Sequence, residues 1–152
     1  MNRAIGSRHW AGATSFWLCL CLFLGSGLLA ASVRAELVVI MHPDSALPSL
    51  SRQAIVNIFM GRHFRLPGGG AVVPVDNQCC REQFYRDLVD KTLPEINSYW
   101  ARLVFSGRGS PPQKISTDAE MLDLVSQNPG VIGYVERSVV DARVTVVYAL
   151  SP

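Results

Sequence analysis

The spacing of hydrophobic and polar positions changes repeatedly along this chain, and each change marks an element. Glu-Leu-Val-Val-Ile-Met over residues 36–41 is a continuous apolar run of the length of a buried strand. After a loop over residues 42–45, Ser51 stands as N-cap of a helix whose Ile55, Ile58 and Phe59 share one face, with Gly61 as its stop. Residues 62–70 are polar and end in three glycines, the pattern of a connection. Residues 71–76 predict a second strand, where Pro74, lacking an N–H, argues for an edge position or a bulge. A helix follows over about residues 80–91, with Phe84, Leu88 and Val89 inward. Thr92-Leu93-Pro94-Glu95 is a capping box that opens another helix, with Ile96, Tyr99, Trp100, Leu103 and Val104 on one side. Residues 106–113 read as a Gly/Pro loop carrying Arg108. A second capping box has Thr117 as N-cap and Glu120 reaching back, and Met121, Leu122, Leu124 and Val125 form the apolar face of its helix. Asn128-Pro129-Gly130 stops that helix before a β-branched run, residues 131–135, whose Gly133 admits another backbone or a ligand at close range. Residues 143–150 are a β-rich tail. Strands alternating with helices indicate an α/β domain.

The start of the chain has a different character. Arg3 and Arg8 precede an apolar segment over about residues 16–31, and Val33-Arg34-Ala35 follows. This charged, apolar, small-residue order is that of a secretory signal peptide with cleavage after Ala35. An uncleaved membrane anchor is the alternative, but the run is short for a spanning helix. The residues before Cys19 and Cys21 lack the small side chains of a lipid-attachment site. The chain would therefore divide into a leader, 1–35, and one domain, 36–152, with no membrane insertion once the leader is gone.

Charge and cysteine content change with that division. The full chain has 14 basic and 12 acidic residues, net +2. Arg3, Arg8 and Arg34 belong to the leader while every acid lies beyond it, so the remaining 117 residues carry −1. The basicity belongs to export and gives no reason to expect nucleic acid as a partner. Of four cysteines only the adjacent pair Cys79-Cys80 remains, too close for an unstrained bond, so the fold must rest on its core.

Residues 76–81, Asp76-Asn77-Gln78-Cys79-Cys80-Arg81, lie at a strand-to-helix junction and form the best candidate site. Unpaired helix N–H groups there favour an anion, and the same dipole would lower the pKa of a nearby thiol. The plainer reading has one cysteine packed in the core and the other incidental. A thiol or metal role would need further ligands, and His42 and His63 lie in separate loops. Arg62, His63 and Arg65 make a small basic cluster, and Arg108 between two glycines is a further candidate cation. No nucleophile, base and orienting group stand in a recognisable motif, and no cofactor is expected.

Several phrases together resemble one lobe of the phosphate-type solute-binding proteins of ABC importers. They are Leu50-Ser51 leading to Ile58-Phe59-Met60-Gly61, then Val72-Val73-Pro74-Val75, Phe84-Tyr85, Tyr99-Trp100, Ser106-Gly107 and residues 129–135. More narrowly, the chain is similar to short, single-lobe exported members labelled phosphate ABC transporter substrate-binding-like proteins. The resemblance implies a single lobe of a type II periplasmic-binding-protein-like fold, a central mixed sheet flanked by helices. It implies a non-enzymatic periplasmic protein that binds phosphate or another oxyanion, with a transporter or sensor as partner. The family's ligand loop, Arg-x-Asp-Gly-Ser-Gly-Thr, falls on residues 74–80. Asp76 matches its aspartate, Pro74 stands in place of its arginine, and Asn77, Gln78, Cys79 and Cys80 replace its glycines and hydroxyls. The candidate ligand residues are thus Asp76, Asn77, Gln78, Cys79, Cys80, Arg81 and Arg108. Weak oxyanion binding or an accessory role in phosphate-type transport is one expectation. A docking module for a partner or a second copy through the open lobe face is the other, with a thiol or metal protein behind it.

Overall fold

The computed structural model describes residues 35–45, 49–62 and 71–150, all within the unit Arg34–Pro152. Residues 1–34 of the expected leader, His63 and Arg65 lie outside the described residues. Five strands form one mixed sheet: β1 (Leu37–Met41), β2 (Val73–Asn77), β3 (Gln113–Ile115), β4 (Val131–Glu136) and β5 (Thr145–Ala149), in the order β3-β2-β4-β1-β5. β2 runs parallel to β3 and β4, whereas β1 is antiparallel to β4 and β5. Four helices accompany them: α1 (Arg52–Phe59), α2 (Arg81–Val89), α3 (Leu93–Phe105) and α4 (Asp118–Gln127). Among the described residues no helix is long and apolar enough to cross a membrane.

β1 is apolar throughout because both of its faces are covered. Leu37, Val39 and Met41 pack with α1, α2 and α3, while Val38 and Ile40 pack with Met121, Leu122 and Val125 of α4. Ile55, Ile58 and Phe59 of α1 are buried, as their spacing predicts. So are Phe84 and Leu88 of α2, with Val89 packed at the margin. On α3 the expected stripe breaks at Val104, which is half exposed, and the adjacent Phe105 stands 92% exposed.

Local chemistry sets the element ends. Ser51 Oγ accepts from the Ala54 amide at 3.2 Å, and Thr117 Oγ1 from the Glu120 amide at 3.2 Å. The Glu120 carboxylate reaches one residue past its own N-cap, to the Ser116 amide at 3.0 Å. Gly61 adopts φ +68°, and a Cβ there would lie 2.7 Å from Cη2 of Trp100. Asn128, held extended by the proline that follows it, ends α4. At Gly133 the close neighbour is a side chain, since a Cβ would collide with Sδ of Met121.

β2 lies inside the sheet, whereas Pro74 had argued for an edge or a bulge. Successive strand amides point to opposite sides, with Val73 N–H donating to Gly130 O of the β4 side and Gln78 N–H to Ile115 O of β3. The ring nitrogen of Pro74 therefore points toward β3, whose pairing with β2 begins only opposite Val75. The missing donor falls where there is no neighbour, and the proline costs the ladder nothing. β3 itself extends the expected Gly/Pro loop into a three-residue strand.

Candidate functional site

The three parallel strands end side by side, and the segments that follow them build the site. β2 leads through residues 78–80 into α2, β3 through Ser116 and Thr117 into α4, and β4 ends at Glu136. In open α/β sheets this carboxyl edge is where ligands bind. A cleft of about 550 Å³ opens there, lined by Gln78, Cys79, Cys80, Glu82, Gln83, Arg86, Leu93 and Glu136.

Asp76 and Asn77 are fully buried beneath that cleft. Asp76 Oδ2 accepts from Arg81 Nε at 2.7 Å, and Oδ1 from the hydroxyls of Tyr85 at 2.9 Å and Tyr134 at 3.2 Å. Three donors and no acceptor converge on it, the surroundings of a carboxylate. Burial pushes the Asp76 pKa up, while Arg81 and the two hydroxyls pull against that rise. Burial likewise raises both tyrosine pKa values, with the Asp76 charge adding to the effect, so these phenols stay protonated. Arg81, only 6% exposed, also donates from Nη1 to Asn97 Oδ1 at 3.2 Å and lies 5.3 Å from the Tyr85 ring centroid. The indole N–H of Trp100 is buried without a hydrogen bond of ordinary length and angle, and the Tyr85 hydroxyl is the polar group it faces.

The loop above this network is also closed by internal bonds. Asn77 Nδ2 donates to Asp118 Oδ1 and to Tyr134 O, and Asn77 Oδ1 accepts from the Cys79 amide at 3.2 Å. The Gln78 amide is held by Ile115 O at 2.9 Å. Two of the backbone donors in the stretch expected to grip an anion therefore have protein partners. α2 begins at Arg81 with no side-chain cap from Cys80, so its first-turn amides are the donors left at this end. Residues 76–81 thus form one continuous unit. Arg108 lies apart, exposed in the loop after α3 with Nε donating to Ser106 Oγ at 3.1 Å, and it does not line the cleft.

The cysteines differ from each other. Cys79 is exposed, its Sγ 2.9 Å from Ser116 O, whereas Cys80 is buried and both are free. Burial, with Asp118 and other nearby acids, pushes the Cys80 thiol up to about 12. A helix-lowered thiol is therefore not found at Cys80, where desolvation and the neighbouring acids act the other way. Its burial fits the plainer reading of one cysteine packed in the core. A colourless aromatic disulfide reagent at pH 8 is accordingly expected to titrate one thiol in the folded domain, at Cys79, and both after denaturation. Two fast thiols in the folded protein would contradict this assignment. Among the described residues no three His, Cys, Asp or Glu side chains are grouped to hold a metal.

Tyr85, Tyr134, Asn97, Asp118 and Glu136 were not singled out as site residues from sequence. Tyr85 and Tyr134 stood inside phrases read as scaffold, and Asp118 inside a capping box.

No protein-family model matches the chain, and no curated protein matches it. Solved structures do. A structure of an ABC-type phosphate transport receptor from Vibrio cholerae aligns with TM-score 0.59 and 14% identity, over 74% of this chain and 45% of that one. A protein from Clostridium perfringens, described as a phosphate ABC transporter substrate-binding protein with bound phosphate, aligns with TM-score 0.60 and 21% identity. It is covered over 44% of its length by 74% of this chain. At these identities the likeness is one of fold: the five-stranded mixed sheet with flanking helices matches part of such a protein, and the chain spans less than half the length of either.

Proposed function

We propose that residues 36–152 are an exported, periplasmic, non-enzymatic lobe of the solute-binding type, accessory to a phosphate-type ABC transport or sensing system, and that they hold phosphate or another small oxyanion only weakly. The fold shared with two phosphate-transport proteins supports the class. The weakness rests on one observation: Asp76 and Arg81 are bonded to each other beneath the loop, and Arg81 has no free charge to offer. What remains for an anion at residues 77–80 is the first turn of α2, in a cleft where Arg86 is already paired with Glu82 and Glu136 adds a further carboxylate.

Thermal melting of the processed protein with phosphate or sulfate tests this reading. A ligand at a thousandfold excess over its Kd stabilises by about 4 kcal/mol, a shift of many degrees for a domain of this size. At 1 mM phosphate, about the Kd of a weak site, the expected rise is a degree or two at most. A large, saturating rise at micromolar phosphate would overturn the reading.

Docking of a protein partner or a second copy is a second reading, favoured by one surface. Phe105, Val104 and Val73, three of the four large hydrophobic side chains exposed among the described residues, flank grooves floored by Trp100 and Pro111. Such clustering marks contact surfaces. If the surface joins two copies, equilibrium sedimentation gives a dimer that Phe105→Asp returns to monomer, and a monomer at all concentrations removes that form of the reading.

A further inference from the structure

Among the described residues a cleft lined by three cations lies away from the strand ends. It is about 530 Å³ and sits between the end of α1 and the first half of α3, lined by Met60, Arg62, Lys91, Pro94, Glu95, Ile96, Ser98, Tyr99 and Arg102. Its volume is that of small-molecule pockets. Three cations and one carboxylate line it. The carboxylate is already committed: Glu95 accepts from the Thr92 amide at 2.9 Å and from Lys91 Nζ at 3.0 Å. Those bonds, the Thr92 amide foremost, hold its pKa down to about 2, so it stays ionised and neutralises Lys91. Arg62 and Arg102 have no acid partner among the described residues, and two uncompensated guanidinium groups therefore face one cavity.

The walls are fixed. The Tyr99 hydroxyl donates to Met60 O at 2.7 Å, joining α3 to the end of α1. Gly61 turns the chain against the Trp100 ring, where a Cβ would not fit. Tyr99 and Trp100 pack edge to face with centroids 5.4 Å apart. The lining between the cations is largely apolar, formed by Pro94, Ile96 and the ring of Tyr99. Glu95 and Arg102 lie seven residues apart on α3, so the cleft runs about 10 Å along the helix. A hydrated inorganic ion would fill the charge requirement and leave that apolar length empty.

We infer that this cleft binds an organic anion, a phosphate or carboxylate head carried on an apolar or aromatic body, with Arg62 and Arg102 gripping the head and Pro94 and Tyr99 covering the body. Guanidinium groups suit both heads because their paired N–H donors match two oxygens. The site is separate from residues 76–81 and does not depend on their role.

Isothermal titration calorimetry on the full chain tests it with three probes: phenyl phosphate, benzoate and inorganic phosphate. Phenyl phosphate or benzoate, whichever head is preferred, is expected to bind at least about tenfold more tightly than inorganic phosphate, and Arg62→Glu with Arg102→Glu should weaken it by about tenfold or more. Neither arginine makes an ion pair among the described residues, but Arg102 lies in the last turn of α3, where a carboxylate opposes the helix dipole. The double variant should therefore melt a few degrees lower yet stay fully folded at the titration temperature. The neutral pair Arg62→Gln, Arg102→Gln, which should melt close to the parent, should also weaken binding, separating lost binding from lost folding. Absence of heat with all three probes at millimolar concentration would overturn the site. So would binding that survives the charge reversal, and so would inorganic phosphate binding as well as both organic probes. A phosphate response unaffected by the charge reversal would bear instead on the start of α2.

Discussion

Arg81→Met is expected to lower the unfolding free energy by about 3–5 kcal/mol, because it strands the Asp76 carboxylate in the interior without its counter-charge. Asp76 is fully buried, and Arg81, at 2.7 Å, is its only cationic partner among the described residues. For a domain whose total stability is about 5–15 kcal/mol, that is a large share. Neutralising the stranded group should recover most of it. In the double variant Asp76→Asn, Arg81→Met, the amide oxygen still accepts from Tyr85 and Tyr134, and the charge that made the single variant costly is gone. Urea unfolding of the parent, both single variants and the double variant measures this. Independent, additive losses would mean that the two charges do not stabilise each other. The same series addresses function: a ligand-gripping arginine can be lost with little effect on folding, whereas one turned inward onto Asp76 cannot.

The contrast between scaffold and loop also explains how much of the molecule was legible in its sequence. Helix starts were legible because they depend on neighbours three residues apart: Ser51 with Ala54, Thr92 with Glu95, Thr117 with Glu120. β1 was legible because a strand covered on both faces is apolar at every position. β3 was not, since two of its three residues are exposed and polar and its pairing with β2 is contributed from outside the segment. Pro74 misled for a related reason: whether a missing donor matters depends on where the neighbouring strand begins, which is non-local information. Residues 76–81 were recognised as a strand-to-helix junction, and they are one. That Asp76 and Arg81 bind each other five residues apart, with Tyr134 arriving from 58 residues away, follows from the packing of β4 beside β2. Arg62 stood out in the sequence only as part of a small basic cluster; that Arg102 shares a cleft with it follows from the placement of α3 against the end of α1, which is non-local.

Phe84→Ala should be the most damaging purely apolar substitution, costing about 3–5 kcal/mol. Phe84 is fully buried, its ring stacked on Tyr134 at 3.6 Å between centroids and 2° between planes, with Phe59 edge-on to both at 4.8 and 5.6 Å. Removing it opens a cavity and also frees the ring that holds the Tyr134 hydroxyl against Asp76. Packing and the buried charge are therefore coupled through one side chain. Tyr134→Phe alone removes a donor from a buried carboxylate and should cost about 1–3 kcal/mol. Once Phe84 is absent, the hydroxyl is less firmly placed and its removal should cost less, giving a coupling of about 0.5–3 kcal/mol in a double-mutant cycle. Phe84→Leu, which keeps most of the volume, should show a smaller loss and weaker coupling. Strict additivity of Phe84→Ala and Tyr134→Phe would mean that Asp76 is held by Arg81 and Tyr85 alone, with the aromatic cluster acting only as filler beneath it.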